Sequence, residues 1–276
     1  MWTCPTCNEV VTTAFCGRCG EEPLAPRDLT VRGLTEKLVH AITSIDARAV
    51  RTVRQLLRFP GELTLAWTSG VRKPYVAPFQ IFLIANVIFF GVQWLTGEIV
   101  FSSPLESHLH HQDWSELAET LVAKHLAATH VTLEAYAPVF DRTVILNAKS
   151  LIVLMAIPFA LLLPLVFIRE RHPFMAHVVF SLHLYTFLLL LFCIGMVAAK
   201  VSALLGLGGL ESAWVDNVLT VVNLLACTAY LYVAIGPVYS ARGATRLVKA
   251  LLLSVAVGAI VVGYRFVLFL ITLYAT

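Results

Sequence analysis

Apolar and polar positions follow two textures along the chain, and the change falls near residue 77. Before it, apolar residues recur at helical intervals between charges. Leu34, Leu38 and Ala41, with Ile42 and Ile45, form one stripe that predicts an amphipathic helix over about Thr30 to Ser44. A second helix starts near Asp46, a capping residue type, and ends before Pro60-Gly61. At about 100° per residue, its Val50, Val53, Leu56 and Leu57 fall on one arc, with Arg48, Arg51, Arg54 and Arg58 on the adjoining one. Basic residues beside an apolar face suit an anionic membrane surface or a protein partner. Stacking aromatics are absent from this stretch, which disfavours nucleic acid.

Beyond residue 77 the polar positions thin out. A hydrocarbon layer of about 30 Å needs about 20 helical residues, and five apolar blocks are long enough: Ala77 to Leu95, about Val144 to Ile168, Phe174 to Ala199, Val215 to Tyr239, and Leu247 to Ala275. The second carries Pro158 and Pro164, which predict a kink. Another amphipathic stretch, Trp114, Leu117, Leu121, Val122 and Leu126, reads as a short helix in the long connection after the first block.

Composition agrees and excludes a soluble protein. The 276 residues are 58% hydrophobic and 13% charged, where a soluble domain carries about 25% charged. Fifteen of the twenty Lys and Arg, Arg72 and Lys73 among them, lie before the first block, between the second and third, or between the fourth and fifth, including Lys249 at the start of the fifth. The positive-inside rule then puts the N-terminus in the cytoplasm and the C-terminus outside, as expected for a multi-pass protein of a bacterial inner membrane. The outer loop, at about 96–143, is acidic, with seven carboxylates against Lys124 and Arg142.

The sharpest local signal is Cys4-Pro-Thr-Cys7 followed by Cys16-Gly-Arg-Cys19. Two C-x-x-C turns supply four thiolates for one tetrahedral zinc, and a closed Cys₄ sphere is structural, not catalytic. Redox chemistry is the rival reading, but no βαβ pattern surrounds either pair. Cys193 and Cys227 fall within membrane blocks and are expected to pack.

The stretches Arg27-Asp-Leu-Thr30, Arg51-Thr-Val-Arg-Gln-Leu-Leu-Arg-Phe-Pro-Gly61 and Gly70-Val-Arg-Lys-Pro-Tyr-Val-Ala-Pro78, after a zinc ribbon, resemble the bacterial family labelled domain of unknown function 3667. The likeness extends to His177 through Leu188 in the third block and departs at Val71 and Tyr185, where the family pattern often has Lys and His. The resemblance implies a polytopic membrane protein with a cytoplasmic zinc ribbon, and no established activity.

Polar residues inside hydrocarbon are functional candidates. His177, Ser181 and Tyr185 share one helix face, while His183 lies about 240° from His177, so the two histidines cannot chelate one ion. Interhelical hydrogen bonding is the reading preferred for this stripe. Arg265, deep in the last block, is expected to snorkel outward or reach Asp216. The loop histidines, His108, His110, His111, His125 and His130, are expected to be solvated. Gly206-Leu-Gly-Gly209 is a turn, and hydrolase or zinc-protease motifs are absent.

These readings combine into an all-α membrane protein: a zinc ribbon at 1–22, a basic amphipathic neck at 23–76 and a five-helix membrane domain at 77–276. The function expected is a binding or assembly module with one structural zinc, engaging membrane lipids or a cytoplasmic protein partner. The bundle serves as anchor or as a lipid or small-molecule conduit, and its thin wall points to a homo-oligomer. The alternative is a membrane-embedded enzyme acting on a lipid-like substrate near His177.

Overall fold

The computed structural model describes residues 2–4, 9–18, 47–71, 74–98, 100–170, 172–209 and 212–276. The helix expected over Thr30 to Ser44, together with Cys7, Cys19, Arg72 and Lys73, lies outside the described residues. The chain divides into two compact units, Met1–Val50 and Arg51–Thr276.

In the first unit, strands β1 (Trp2–Thr3) and β2 (Val10–Val11) pair antiparallel, with Trp2 opposite Val11 and Thr3 opposite Val10. The ladder continues through the Cys4 amide, which donates to the Glu9 carbonyl at 2.9 Å. Cys4, Val11 and Cys16 are buried together, with Trp2 packed against them.

The second unit is helical. Helix α1 spans residues 47–58, its first four residues belonging to the first unit, and stops where Pro60 cannot continue it. The following helices are α2 (Glu62–Thr68), α3 (Pro78–Thr96), α4 (Leu105–His110), α5 (Ser115–Thr129), α6 (Leu133–Leu151), α7 (Ala156–Val166), α8 (Phe174–Leu204), α9 (Ala213–Tyr239) and α10 (Gly243–Ala275). Five spans are long and apolar enough to cross a membrane: α3, the α6–α7 pair, α8, α9 and α10. This is the architecture of a multi-pass membrane protein. The exposed aromatics Trp94, Trp214 and Tyr274 sit at the end of α3, the start of α9 and the end of α10, where an interfacial belt is expected.

Helix α8 is the mast of the bundle. Its 31 residues reach about 46 Å at 1.5 Å per residue, and it packs against α2, α3, α7 and α9. From α3, Phe82, Ala85 and Phe89 point inward. Helix α10 packs on α6, α7 and α9.

The second span begins at Leu133, earlier than the expected Val144. Polar residues on the outward side of α6 break the apolar run, while Tyr136, Phe140, Val144 and Ala148 bury a stripe at i+4 spacing. Some of its polar groups are used internally: Asp141 accepts from the Leu105 amide at 2.7 Å and Asn147 donates to Thr272 Oγ1 at 3.0 Å. The connection after α3 therefore shortens to residues 97–132, and Asp141 enters the span. The expected kink is a 3₁₀ turn, Ile152–Met155, between α6 and α7. Pro158 follows it, and its ring and missing N–H disfavour a regular helix four residues earlier.

A second proline is accommodated differently. Pro237 inside α9 leaves the Val233 carbonyl without its helical donor. Arg246 of α10 supplies one: Nη2 donates to Val233 O at 3.0 Å and Nε to Tyr232 O at 2.5 Å, with the guanidinium over the Tyr232 ring. Gly236 makes room, since a Cβ there would fall 2.5 Å from Arg246 Nη2. Arg246→Leu should therefore lower stability by about 1–3 kcal/mol, the range for losing charge-assisted bonds to backbone. Adding Pro237→Ala, which restores an N–H to Val233, should recover part of it. Thermal unfolding in detergent checks both, and an Arg246→Leu protein as stable as wild type would refute the assignment.

Candidate functional site

The polar stripe of α8 does not converge on a single point. His177 Nδ1 meets Tyr239 Oη of α9 at 2.8 Å, Ser181 Oγ donates to the Ala156 carbonyl of α7 at 2.7 Å, and His183 Nδ1 meets Thr64 Oγ1 of α2 at 2.8 Å. Three successive polar residues on one helix thus reach three different elements. Tyr185 packs edge-on against Phe159 of α7, and among the described residues its hydroxyl, like His183 Nε2, is buried without a hydrogen-bond partner. His177 and His183 point to different neighbours, as their spacing requires.

Around His177 the aromatic rings form a layered stack. The Tyr239 ring is parallel to His177, 5.5 Å between centroids, and to Phe167, 3.9 Å away. Lys249 Nζ lies 4.3 Å from the Phe167 centroid, and His172 meets Tyr239 edge-on. A cation over an aromatic face is favourable, so Lys249 extends the stack beyond Phe167.

The α1–α2 segment is built into the bundle. Thr52 Oγ1 accepts from the Val76 amide at 2.9 Å, and both residues are buried. Leu56, Leu63 and Thr64 are buried as well, and α2 packs against both α8 and α9. The turn between α1 and α2 depends on Gly61. Its φ of 91° lies in the left-handed region, and a Cβ there would sit 2.4 Å from the Ala234 carbonyl oxygen of α9. Only glycine lets the two backbones approach so closely.

Docking sets which way α1 faces. Thr52 and Leu56 form its inward row, whereas Val50 and Leu57 are 68% and 50% exposed. The expected apolar arc of Val50, Val53, Leu56 and Leu57 is thus divided, because the Thr52 bond to Val76 turns Leu56 inward and Leu57 outward. Arg48, Arg51, Arg54 and Arg58 lie on the solvent-accessible side of the helix, beside exposed Val50, Leu57 and Phe59.

At the opposite end, residues 97–132 cap the bundle. Phe101 is buried against the rings of Phe89, Phe192 and Tyr264. Gln93 Nε2 donates to Ser102 Oγ at 3.2 Å and Arg265 Nη2 to Ser103 Oγ at 2.6 Å. Arg265 therefore reaches toward the cap, and the Asp216 carboxylate of α9 acts on it, as expected for that pair. His108, expected to be solvated, is 1% exposed; its i−3 and i+1 neighbours, Leu105 and Leu109, carry α4 into the core with it. His110, His111 and His130 are exposed. In α5, Ala118 and Val122 are buried, with Trp114, Leu121 and Leu126 packed on the core.

In the first unit, Cys4 and Cys16 are buried in one small cluster, the setting thiol ligands of one metal would need. Among the described residues no group of three or more His, Cys, Asp or Glu is assembled for a metal; Cys7 and Cys19 lie outside them.

Sequence reasoning missed Thr52, Gly61, Thr64 and Tyr239. The Pro60-Gly61 pair was a visible signal, but it reads equally well as an ordinary helix end. Nothing local marks Thr64 or Tyr239, whose roles arise only from contacts with α8.

The five apolar spans, with α1 and α2 packed against them, define a multi-pass membrane protein. Residues 46–90, which cover α1, α2 and the first part of α3, match the family described as protein of unknown function, DUF3667, and contain two of the motif stretches, 51–61 and 70–78. No curated protein and no solved structure matches the chain.

The Gly61 contact can be tested against Gly70, which also has a positive φ, 93°, but has open space within 4 Å of where a Cβ would stand. Gly70→Ala should cost the backbone strain alone, about 1–3 kcal/mol. Gly61→Ala should cost clearly more and expose residues 51–70 to protease. Equal losses for the two would show that α2 is not held against α9.

Proposed function

We propose that the chain is a binding module of the bacterial inner membrane, with its N-terminus in the cytoplasm and its C-terminus outside, that engages anionic lipid through α1. One observation carries this reading. Thr52 and Leu56 fasten α1 inward, so Arg51, Arg54 and Arg58 are presented together with exposed Leu57 and Phe59. A cationic and apolar surface on one rigid turn suits lipid headgroups over acyl chains, and each basic side chain near such a surface contributes about 1 kcal/mol. Arg72 and Lys73 add to the same basic segment in sequence.

The N-terminal hairpin fits a structural zinc held by Cys4, Cys7, Cys16 and Cys19. Buried Cys4 and Cys16 support this, as does the size of the hairpin, too small to fold on apolar burial alone. Zinc there would supply folding free energy and no open coordination position. The alternative, an enzyme acting near His177, has less support: that imidazole is buried and hydrogen-bonded to Tyr239, which accounts for it as a helix–helix tie.

Native mass spectrometry of the full chain tests both parts. One zinc per chain is expected, and Cys16→Ser should remove it. In mixed phosphatidylglycerol and phosphatidylcholine, wild type should retain the anionic lipid, and replacing Arg51, Arg54 and Arg58 with Gln should weaken retention at least about tenfold. A zinc-free wild-type chain would refute the metal site. Retention unchanged by the three substitutions would refute the lipid surface and favour a protein partner.

A further inference from the structure

We propose that the cap on the α3 C-terminal end of the bundle is an acid-sensitive latch, closed by neutral His108 and released when that imidazole gains a proton. This goes beyond the lipid-binding reading and does not rest on it. The geometry matches one protonation state only. Trp114 Nε1 donates to His108 Nδ1 at 3.3 Å, so Nδ1 must present a lone pair and Nε2 must carry the proton. The Ser103 backbone acts on the ring in the opposite sense to burial and Arg265, and more weakly than either. A second proton on Nδ1 would set one N–H against another and break the bond between α4 and the start of α5.

The surroundings make the charge costly. The ring is 1% exposed, packed against Trp114, Phe140 of α6 and Phe269 of α10. The cation facing it is Arg265 of α10, which also holds Ser103. From α6, Asp141 is occupied by the Leu105 amide. Asp216 of α9 acts on Arg265. On α4 itself, exposed His110 lies 3.5 Å from Glu106 and 3.9 Å from Glu119 of α5. Exposed pairs of this kind contribute little. Burial first, and the Arg265 charge second, lower the His108 pKa from 6.5 to about 4.

The sign follows from linkage. A released, solvated imidazole titrates near its ordinary value, so between about 6.5 and 4 the released state binds the proton and the closed state does not. The closed-to-released ratio is at its full value above about pH 6.5 and falls about tenfold per pH unit through that window. On release, α4 leaves its seat and takes with it the chain that seats Phe101, opening the end of the bundle between α3, α8 and α10.

Trp114 is a built-in reporter. Its fluorescence can be isolated in full-length protein in nanodiscs by subtracting a Trp114→Phe sample, and its access to acrylamide followed from about pH 7.5 to 4. The latch predicts a step to higher quenching between about pH 6.5 and 4, absent in His108→Gln. Arg265→Gln, which removes the neighbouring charge, should move the midpoint to higher pH, while Arg265→Lys should leave the midpoint nearly unchanged. Constant quenching in wild type, the same step in His108→Gln, or a midpoint indifferent to the charge at position 265 would each overturn the proposal.

Discussion

A polar group carried into hydrocarbon is costly unless the protein supplies it a partner, and in this chain α8 carries several such groups. His177, Ser181 and His183 enter the bundle on one helix and are answered by α9, α7 and α2 in turn. Each such bond is modest, on the order of 1 kcal/mol, and apolar packing contributes more to holding the helices together. The cost of a wrong arrangement is larger, because a buried donor or acceptor left alone costs about 1–3 kcal/mol. The stripe therefore selects which helix lies where more than it adds to stability.

The same logic draws the motif-bearing segment into the bundle. Helix α2 is only seven residues long, too short to persist alone in water. It is held by Thr64 on His183, by buried Leu63 and by the backbone approach at Gly61. With α2 fixed and Thr52 bonded to Val76, α1 has one orientation, and its arginines are displayed as a consequence. A basic surface built this way is part of the membrane domain's own packing.

The five spans were legible because an apolar run of that length has few other uses in a protein. The start of α6 was not, since its outward polar residues dilute the run and its inward stripe of Tyr136, Phe140, Val144 and Ala148 shows only at helical spacing. Pro158 announced its kink. Pro237 gave no hint of Arg246, because the donor that replaces its missing N–H comes from the next helix. His108 looked like one histidine among several in a loop; its burial follows from Leu105 and Leu109 on the same short helix and from partners on α5, α6 and α10. The face-sharing of His177, Ser181 and Tyr185 could be read from spacing, whereas their separate partners could not.

The contact on which most depends is that between Thr64 and His183, which ties α2 to α8. A double-mutant cycle on thermal stability in lipid nanodiscs, with Thr64→Val, His183→Leu and the pair, measures that contact and little else. Strong non-additivity is expected: the double variant no less stable than the worse single one, with a coupling of about 1–2 kcal/mol. Losses that simply add would show that the two residues do not interact, and that α2 is held to the bundle by something other than α8.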